Sequence, residues 1–465
     1  MGWGEVKGAK MIETQFQTTR KPLALILFAV ILLAVIPSHS IAQSAKRTFK
    51  FDFGTGKLAP GYTRVVATTK YNQQLGYGFD YGSMPIAIDR GGNDPLRSDF
   101  CTGNAPFFFS VNVPQGNYNV TVILGDQKES TVTTIKAESR RLMVRKAVTK
   151  PGQFIKKEFT VCVWHREIKS GGEVILKHRE LSKLDWDHKL TIEFNNSHPC
   201  VDAIKITPAD NVPTVFLAGN STVTDQQLEP WSCWGQMLPW FFKPGTVAIA
   251  DMAASGSTLK ASVARKRLEK IANMIKPGDY FLIQFADNDQ KPGPDHVDPF
   301  TGYEKYLKRF INVARSHGAT AVLVTPINRH FFNSDGKIRN TLGNYPAAMR
   351  QLAKKDHVAL IDLNAMSKTM FDAYGPETSG KLFVQFPAGT FPGVTKELKD
   401  NTHFNDFGAY ELAKCIVRGI RKSNIGLVND LKDGIPVFNP AHPDPINQWL
   451  LPMTPMYTSV KPYGS

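Results

Sequence analysis

The feature that most restricts the fold of this chain is a change in hydrophobic pattern near residue 212. Before it, apolar and polar residues alternate along short segments, which is typical of strands with one buried face. After it, short apolar runs show no alternation, and amphipathic stretches of helical period separate them. The two patterns predict an all-β region followed by an α/β region, because each class of region needs its own arrangement of buried faces.

The first region, which we place at residues 44–210, is predicted to be a β-sandwich or jelly roll. The segment "FFFSVNVPQGNYNVTVILGD" (107–126) shows two alternating runs around a Pro-Gln-Gly-Asn turn, which predicts a β-hairpin. The segments "KLTIEF" (189–194) and "VDAIKITP" (201–208) alternate in the same way, and no long helical period intervenes. Several short strands at this spacing favour a sandwich.

The second region, which we place at residues 211–430, is predicted to be a three-layer α/β/α sandwich around a parallel sheet. Helical stretches such as 257–275 and 303–318 alternate with apolar runs. Such runs fit parallel strands that are buried on both faces; they are "TVFLA" (214–218), "TVAIA" (246–250), "YFLIQF" (280–285), "TAVLVTP" (320–326) and "VALIDL" (358–363). The C-terminal extension, residues 431–465, is expected to pack as irregular chain against one domain.

The first 43 residues have the features of a targeting segment. Arg20 and Lys21 precede the apolar stretch 22–36, and "SIAQ" offers a small-residue cleavage site after Ala42. The apolar stretch is shorter than the roughly 20 residues that a membrane-spanning helix needs. We therefore expect a cleaved signal peptide and a secreted or periplasmic protein without a stable membrane span. An uncleaved anchor is the alternative.

The formal net charge of +15 favours polyanionic partners, or reflects solubility alone. Zinc-finger spacing, an RNA-binding aromatic signature and Lys/Arg blocks are all missing, which disfavours nucleic acid and leaves acidic polysaccharide or anionic lipid. The five cysteines contain no C-x-x-C pair, which argues against a metal knuckle or a redox motif. The sequence therefore predicts no metal site.

Polar residues follow the apolar runs at the points where ligands bind in open α/β sheets, outside the carboxyl ends of the strands. Ser221 follows the first run, "DMAASGST" (251–258) the second, "ADNDQK" (286–291) the third and "TPINR" (325–329) the fourth. A polar loop that leads into an amphipathic helix, "DNTHFNDFGAYELAK" (400–414), comes near the end. Each piece alone is more often a helix cap or a solvated turn, but their order is that of an active site.

These residues can perform acyl transfer. A serine hydroxyl is a weak nucleophile until a base takes its proton, and His403 can be that base for Ser221 if Asp400 orients its ring. The oxyanion that forms needs preorganised donors. The backbone N–H groups of Ser221 and Gly256 and the side-chain amide of Asn288 can supply three.

The second region resembles an SGNH (GDSL-type) hydrolase, which has a flavodoxin-like sheet, and within that group the rhamnogalacturonan acetylesterases. The matching motifs occur in order: "FLAGNSTVTDQ", "WGQML", "DMAASGSTLKAS", "QFADNDQK", "TPINR" and "DNTHFNDFGA". In the first region, "FKFDFGTG" and "VPQGNYNVTV" resemble galactose-binding-like modules. The resemblance implies the triad Ser221, His403 and Asp400, oxyanion donors Gly256 and Asn288, no cofactor, and release of acetate from a galacturonate-containing polysaccharide.

Three residues depart from the motifs of that branch. Asn220 replaces the usual Asp before the nucleophile, and Ala286 and Asp287 replace Gly-His in the third block. Asn still accepts a hydrogen bond but loses the charge, so we expect a somewhat looser site. Asp287 is expected to repel a galacturonate carboxylate. The alternatives are therefore an esterase for another acetylated glycan such as xylan, and a non-catalytic carbohydrate-binding protein with a decayed site.

Overall fold

Short alternating segments form the strands of the first half. The computed structural model describes residues 47–462, so the predicted signal peptide lies outside the described residues. The strands of this half are β1 (Phe49–Phe53), β2 (Thr63–Val65), β3 (Tyr77–Asp80), β4 (Ile86–Asp89), β5 (Asp99–Thr102), β6 (Phe107–Asn112), β7 (Gly116–Gly125), β8 (Thr131–Ala137), β9 (Arg141–Thr149), β10 (Phe154–Val163), β11 (Lys189–His198), β12 (Cys200–Val201) and β13 (Ala203–Pro208).

These strands form two five-stranded sheets that enclose an aromatic core. The strand orders are β10-β7-β13-β1-β2 and β3-β6-β11-β8-β9, and β12-β5-β4 form a small third sheet. Phe53 of one sheet meets Phe109 of the other edge to face, with ring centroids 4.9 Å apart. Both rings are fully buried, as the alternation of β1 and β6 requires. The predicted β-sandwich is confirmed.

The hairpin predicted over residues 107–126 is wrong. β6 pairs with β3 and β11, whereas β7 pairs with β10 and β13, so the two strands lie in opposite sheets. The turn between them carries the chain across the sandwich, and the Tyr118 hydroxyl donates a 2.6 Å hydrogen bond to the Pro114 carbonyl there. Alternation shows which face of a strand is buried, but it does not identify the strand's neighbour.

The second half contains a five-stranded parallel sheet of order β15-β14-β16-β17-β18. These strands are β14 (Thr214–Gly219), β15 (Ala248–Asp251), β16 (Tyr280–Gln284), β17 (Thr320–Val324) and β18 (Ala359–Ile361), and a separate antiparallel pair is formed by β19 (Phe383–Phe386) and β20 (Leu398–Phe404). The helices are α1 (Trp234–Met237), α2 (Leu259–Ala264), α3 (Arg267–Met274), α4 (Glu304–Ser316), α5 (Tyr345–Lys355), α6 (Leu363–Ser379) and α7 (Asp406–Lys422).

The parallel sheet has an apolar cluster on each face. Val215 and Leu217 lie in one cluster with side chains of α1, α6 and α7. Phe216 and Ala218 lie in the other cluster with side chains of α2 to α5. Successive residues of β14 therefore point into opposite cores, which explains why this strand shows no alternation. The predicted three-layer α/β/α sandwich is confirmed, and no helix in residues 47–462 is long and apolar enough to cross a membrane.

The helical stretch predicted over residues 257–275 is two helices. Lys266 adopts a left-handed conformation (φ 61°) between α2 and α3. The break lets the buried guanidinium of Arg267 form two hydrogen bonds of 2.5 and 2.6 Å with Glu180 of the first half. A charge-assisted contact with a distant residue has overridden the local helical period here.

The two halves share their buried surface. Trp164 and Trp186 of the first half belong to the same apolar cluster as Phe216 of the parallel sheet. The C-terminal extension contacts both halves: Lys136 Nζ donates a 2.8 Å hydrogen bond to the Pro452 carbonyl, and a 2.7 Å hydrogen bond runs from Glu229 N to the Met456 carbonyl. The expectation that the extension packs against one domain is wrong, because its irregular backbone satisfies buried polar groups on both sides.

Candidate active site

The carboxyl ends of β14, β15 and β16 carry the polar loops that the sequence singled out. Ser221 follows β14, Gly256 follows β15 and Asn288 follows β16, and all three residues are buried or nearly so. Asp400 and His403 lie on strand β20 and not on a loop, because residues 398–404 pair with β19. Helix α7 begins directly after this strand, as the sequence predicts.

Asp400 and His403 are in direct contact. His403 Nδ1 lies 2.8 Å from Asp400 Oδ2, and both side chains are buried. Asp400 Oδ1 also accepts hydrogen bonds from the backbone N–H groups of Thr402 and His403. Burial alone raises the pKa of Asp400, but the hydrogen bond and charge of His403 outweigh it and lower this pKa to about 2. Asp400 is therefore an ionised carboxylate that fixes the orientation of the imidazole.

Two buried atoms at this site have no hydrogen-bond partner within the described residues, Ser221 Oγ and His403 Nε2. Since Asp400 occupies Nδ1, Nε2 is the nitrogen that remains available to take a proton. The two atoms do not hydrogen-bond to each other, and such bonds between nucleophile and base are often long without a ligand. The Ser221 backbone is held firmly, because its carbonyl accepts from Gln226 Nε2 at 3.0 Å and from Cys233 Sγ at 2.7 Å.

The three predicted oxyanion donors lie on loops that are tied together. Within residues 47–462 the backbone N–H groups of Ser221 and Gly256 donate to no acceptor. Gly256 has φ 70°, a left-handed conformation that favours glycine and turns this loop. Asn288 Nδ2 donates a 3.1 Å hydrogen bond to the Ser257 carbonyl, which leaves its second N–H available. Gln226 Nε2 connects the loop after β14 to the loop after β15 through a 3.2 Å hydrogen bond to Ser255 Oγ.

Two of the motif departures contact each other. Asn220 Nδ2 donates a 3.1 Å hydrogen bond to Asp287 Oδ2, and both side chains are buried. Asn220 Oδ1 meanwhile accepts from the backbone N–H of Thr222 at 3.0 Å. Arg329 Nη2 lies 3.3 Å from Asp287 Oδ1 and completes the group. The charge of Asp287 is therefore paired inside the protein, and the carboxylate does not face the solvent side of the site.

The third departure, Ala286, has an unusual backbone conformation. Its φ is 147°, in a region that L-residues rarely adopt, and its methyl group is fully buried. The Ala286 carbonyl accepts the backbone N–H of Gln290 at 3.1 Å, which closes the turn that carries Asn288. A residue with a Cβ occupies a conformation suited to glycine, so this turn is strained.

A buried arginine of the first half supports the site and carries no sequence signal. Arg140 Nη2 lies 2.5 Å from Glu229 Oε2 and 2.9 Å from Asp406 Oδ1. Its Nη1 donates to the carbonyls of Gln226 and Trp231 at 3.0 and 2.8 Å. Gln226 holds the loop of Ser221, and the Trp231 indole N–H lies 3.4 Å from Asp400 Oδ2. No motif spacing relates residues so far apart in sequence, so the sequence alone offered no means of finding this group.

No group of three or more His, Cys, Asp and Glu side chains within residues 47–462 is placed to hold a metal ion. All five cysteines lie in this part of the chain and are buried, and none of them forms a disulfide.

Comparisons with known proteins follow the same division of the chain. A family model described as "Beta-agarase/YXIM esterase-like, galactose-binding domain-like" matches residues 49–144. Rhamnogalacturonan acetylesterase RhgT of Bacillus subtilis (strain 168) is 42% identical over 219 residues, covering 47% of this chain and 93% of that protein. The uncharacterized esterase YxiM of the same strain is 26% identical over 414 residues, covering 87% of this chain and 99% of that protein. The crystal structure of YxiM covers 82% of this chain and 99% of its own, with 26% identity and a TM-score of 0.43.

The match to RhgT spans nearly the whole of that protein, so it is not limited to a shared fragment. The match over residues 49–144 confirms the resemblance of the first half to galactose-binding-like modules. The parallel sheet with helices on both faces is the fold that the resemblance implies. The chain belongs to the rhamnogalacturonan acetylesterase family of SGNH-type carbohydrate esterases and is a carboxylic ester hydrolase.

Proposed function

We propose that this protein is a secreted serine esterase that removes acetyl groups from pectic polysaccharide, with Ser221, His403 and Asp400 as its catalytic triad. The observation that carries the proposal is the 2.8 Å contact between Asp400 and His403 Nδ1, beside two buried atoms without partners, His403 Nε2 and Ser221 Oγ. An ionised Asp favours the neutral imidazole tautomer that has its free nitrogen at Nε2, which is the tautomer a general base needs.

The chemistry takes place in two displacements. Ser221 Oγ attacks the acetyl carbonyl carbon while its proton passes to His403 Nε2, and the carbonyl oxygen becomes an oxyanion. The N–H groups of Ser221 and Gly256 and the amide of Asn288 donate to that oxyanion. The bond to the sugar oxygen then breaks, the sugar oxygen takes the proton from His403, and an acetyl-serine remains. Water attacks this ester with His403 again as base, and acetate leaves as Ser221 regains its proton.

Cationic side chains near the triad support an acidic substrate. Lys461 Nζ lies 3.5 Å from Asp400 Oδ1. Burial lowers the pKa of Lys291, and the positive charges of Arg329 and Lys461 lower it further. Lys291 therefore lies close to both of these cationic side chains. The repulsion expected from Asp287 is not an objection, because Arg329 and Asn220 pair with that carboxylate inside the protein.

A panel of acetylated substrates tests the proposal. Purified protein is given acetylated rhamnogalacturonan, acetylated xylan and an aryl acetate, and the release of acetate is measured for each. We expect the fastest release from rhamnogalacturonan. A preference for xylan would support the esterase function but contradict pectic polysaccharide as the substrate. Sugar binding without turnover of any ester would contradict the enzymatic function.

A further inference from the structure

A cavity of about 320 Å³ lies between the two halves, and four of the nine residues that line it are lysines. Lys146 of β9 and Lys156 and Lys157 of β10 form one wall, and Lys432 contributes to the other. The acidic residue in the lining is Glu158, which already pairs with Lys156 at 2.6 Å. The remaining lysines therefore give the groove a net positive charge, and its volume is that of a site for a small ligand.

Lys432 is held in a fixed position in this groove. Its Nζ donates to the Trp240 carbonyl and lies 3.6 Å from the centroid of the Trp240 ring. Its backbone N–H donates a 2.9 Å hydrogen bond to the Phe241 carbonyl. Burial and the positive charge of Lys157 lower the pKa of Lys432 to about 8. Within residues 47–462 no carboxylate pairs with this ammonium, so an anion that entered the groove would supply the missing partner.

The groove lies away from the catalytic loops. Its residues Trp240 and Pro244 come before β15, so they lie toward the amino end of the parallel sheet. Ser221 follows the carboxyl end of β14, at the opposite edge of that sheet. A 2.7 Å hydrogen bond from Gly245 N to Thr160 Oγ1 connects this segment to β10, so both walls of the groove are fixed relative to each other. The groove is thus a separate and preorganised feature.

We propose that this lysine groove, lined by Lys146, Lys156, Lys157 and Lys432, is a second, non-catalytic binding site for an acidic polysaccharide. A uronate carboxylate pairs with Lys432 and Lys157, and the lysines at the opening contact neighbouring charged sugars. Nucleic acid fits less well, since Lys432 covers a face of the Trp240 ring on which a base would stack. A polymer bound here has a raised effective concentration at the catalytic loops, because one chain can engage both sites.

The proposal concerns binding, so it can be tested separately from the proposed esterase function. The full chain is titrated with polygalacturonate, which carries no acetyl groups and cannot be turned over. The variant Lys157→Gln/Lys432→Gln is compared with Lys354→Gln/Lys355→Gln, which removes the same charge from the exposed end of α5. We expect the groove variant to bind roughly tenfold more weakly, because two charge-assisted contacts are lost. The control is expected to stay within about twofold of wild type.

Three results would overturn the site: equal losses in the two variants, absence of polygalacturonate binding by wild type, or single-stranded DNA binding as tight as that of polygalacturonate. Turnover of an aryl acetate is measured in parallel and should not change in either variant, since neither pair lies at the catalytic loops. If Lys432→Gln prevents folding, Lys146→Gln/Lys157→Gln leaves Lys432 in place and gives the same comparison. A wild-type protein that is inactive but still binds polygalacturonate through these lysines would contradict the proposed esterase function and support the proposed binding site.

Discussion

Asn220 Nδ2 donates a hydrogen bond of 3.1 Å to Asp287 Oδ2, so two residues that depart from the motifs of the family form one interaction. The sequence suggested two independent defects and a looser site. The carboxylate that the family motif has at residue 220 is missing, but Asp287 on the loop after β16 supplies a carboxylate within hydrogen-bond distance of the Asn220 amide. Arg329 neutralises that carboxylate at 3.3 Å. The pair of Asn220 and Asp287 therefore links the loops after β14 and β16, with the negative charge on residue 287 and not on residue 220.

Asn220→Asp is therefore expected to impair the enzyme. It places two buried carboxylates about 3 Å apart, and such a pair cannot be fully ionised at neutral pH. We expect at least a tenfold loss of aryl acetate turnover at pH 7 and a lower melting temperature, since an unpaired buried charge costs roughly 3–5 kcal/mol. The swap Asn220→Asp/Asp287→Asn restores one amide and one carboxylate and should recover most of the loss. A single Asn220→Asp variant with raised turnover would contradict the coupling.

Ala286→Gly is expected to maintain or increase the stability of the fold. Glycine relieves the strain at φ 147°, which is worth about 1–3 kcal/mol, but it adds flexibility to the unfolded chain and loses a buried methyl group. The free energy of unfolding in urea should therefore be unchanged or higher by about 1 kcal/mol. The control Ala250→Gly, at a buried position of β15, should lower it by about 1 kcal/mol. Equal losses at the two positions would show that the turn is not strained.

Asp289, the residue after Asn288, is expected to make stability depend on pH. Burial raises its pKa to about 7 in the folded protein, against about 4 in an unfolded chain. Between these values the folded state binds one proton more than the unfolded state, so stability falls as pH rises from 4 to 7, by up to about 4 kcal/mol for this group. Asn at this position can still accept the 2.7 Å hydrogen bond from Leu259 N.

The melting temperature of Asp289→Asn should therefore fall less steeply between pH 4 and pH 7 than that of wild type. Identical slopes for the two proteins would exclude Asp289 as the titrating group.

Arg140→Ala is expected to weaken both the fold and the active site. It leaves the buried Asp406 without its cation and Glu229 with Lys136 alone, 3.8 Å away, which costs roughly 3–5 kcal/mol. It also releases the carbonyls of Gln226 and Trp231, so turnover should fall by more than the loss of folded protein explains. The control Arg166→Ala, at a half-exposed pair with Glu173, should change stability by less than about 1 kcal/mol. Thermal unfolding and activity per folded molecule are compared for the two variants.

The sequence predicted the elements that burial dictates and missed those that depend on pairing. The run 214–218 was identified as a strand because both of its faces are apolar, and Ser221 and Asn288 followed from their places at strand ends. The turn at residues 113–115 looked like a hairpin, since alternation identifies the buried face but not the sheet to which a strand belongs. The separation of Asp400 and His403 by three residues fitted a loop as well as the strand they occupy.

The sequence also does not predict the buried polar contacts between the halves. Arg140, Glu229 and Asp406 come from three distant segments, and each alone resembles a surface charge. Charged residues are rarely buried unless they are paired, and here the partners come from distant segments. Neither composition nor periodicity therefore indicates where such a group will form. The C-terminal extension was unreadable for a related reason, because its position depends on the backbone hydrogen bonds it makes to Lys136 and Glu229.

The central claim is that Ser221 is the nucleophile of an esterase for an acetylated acidic glycan. The most direct test is the rate of acetate release from acetylated rhamnogalacturonan by wild type and by Ser221→Ala, at equal concentrations of folded protein. We predict that the variant is slower by at least about a thousandfold, because loss of a triad nucleophile removes the acyl-enzyme route. A variant that releases acetate within tenfold of the wild-type rate would contradict the account.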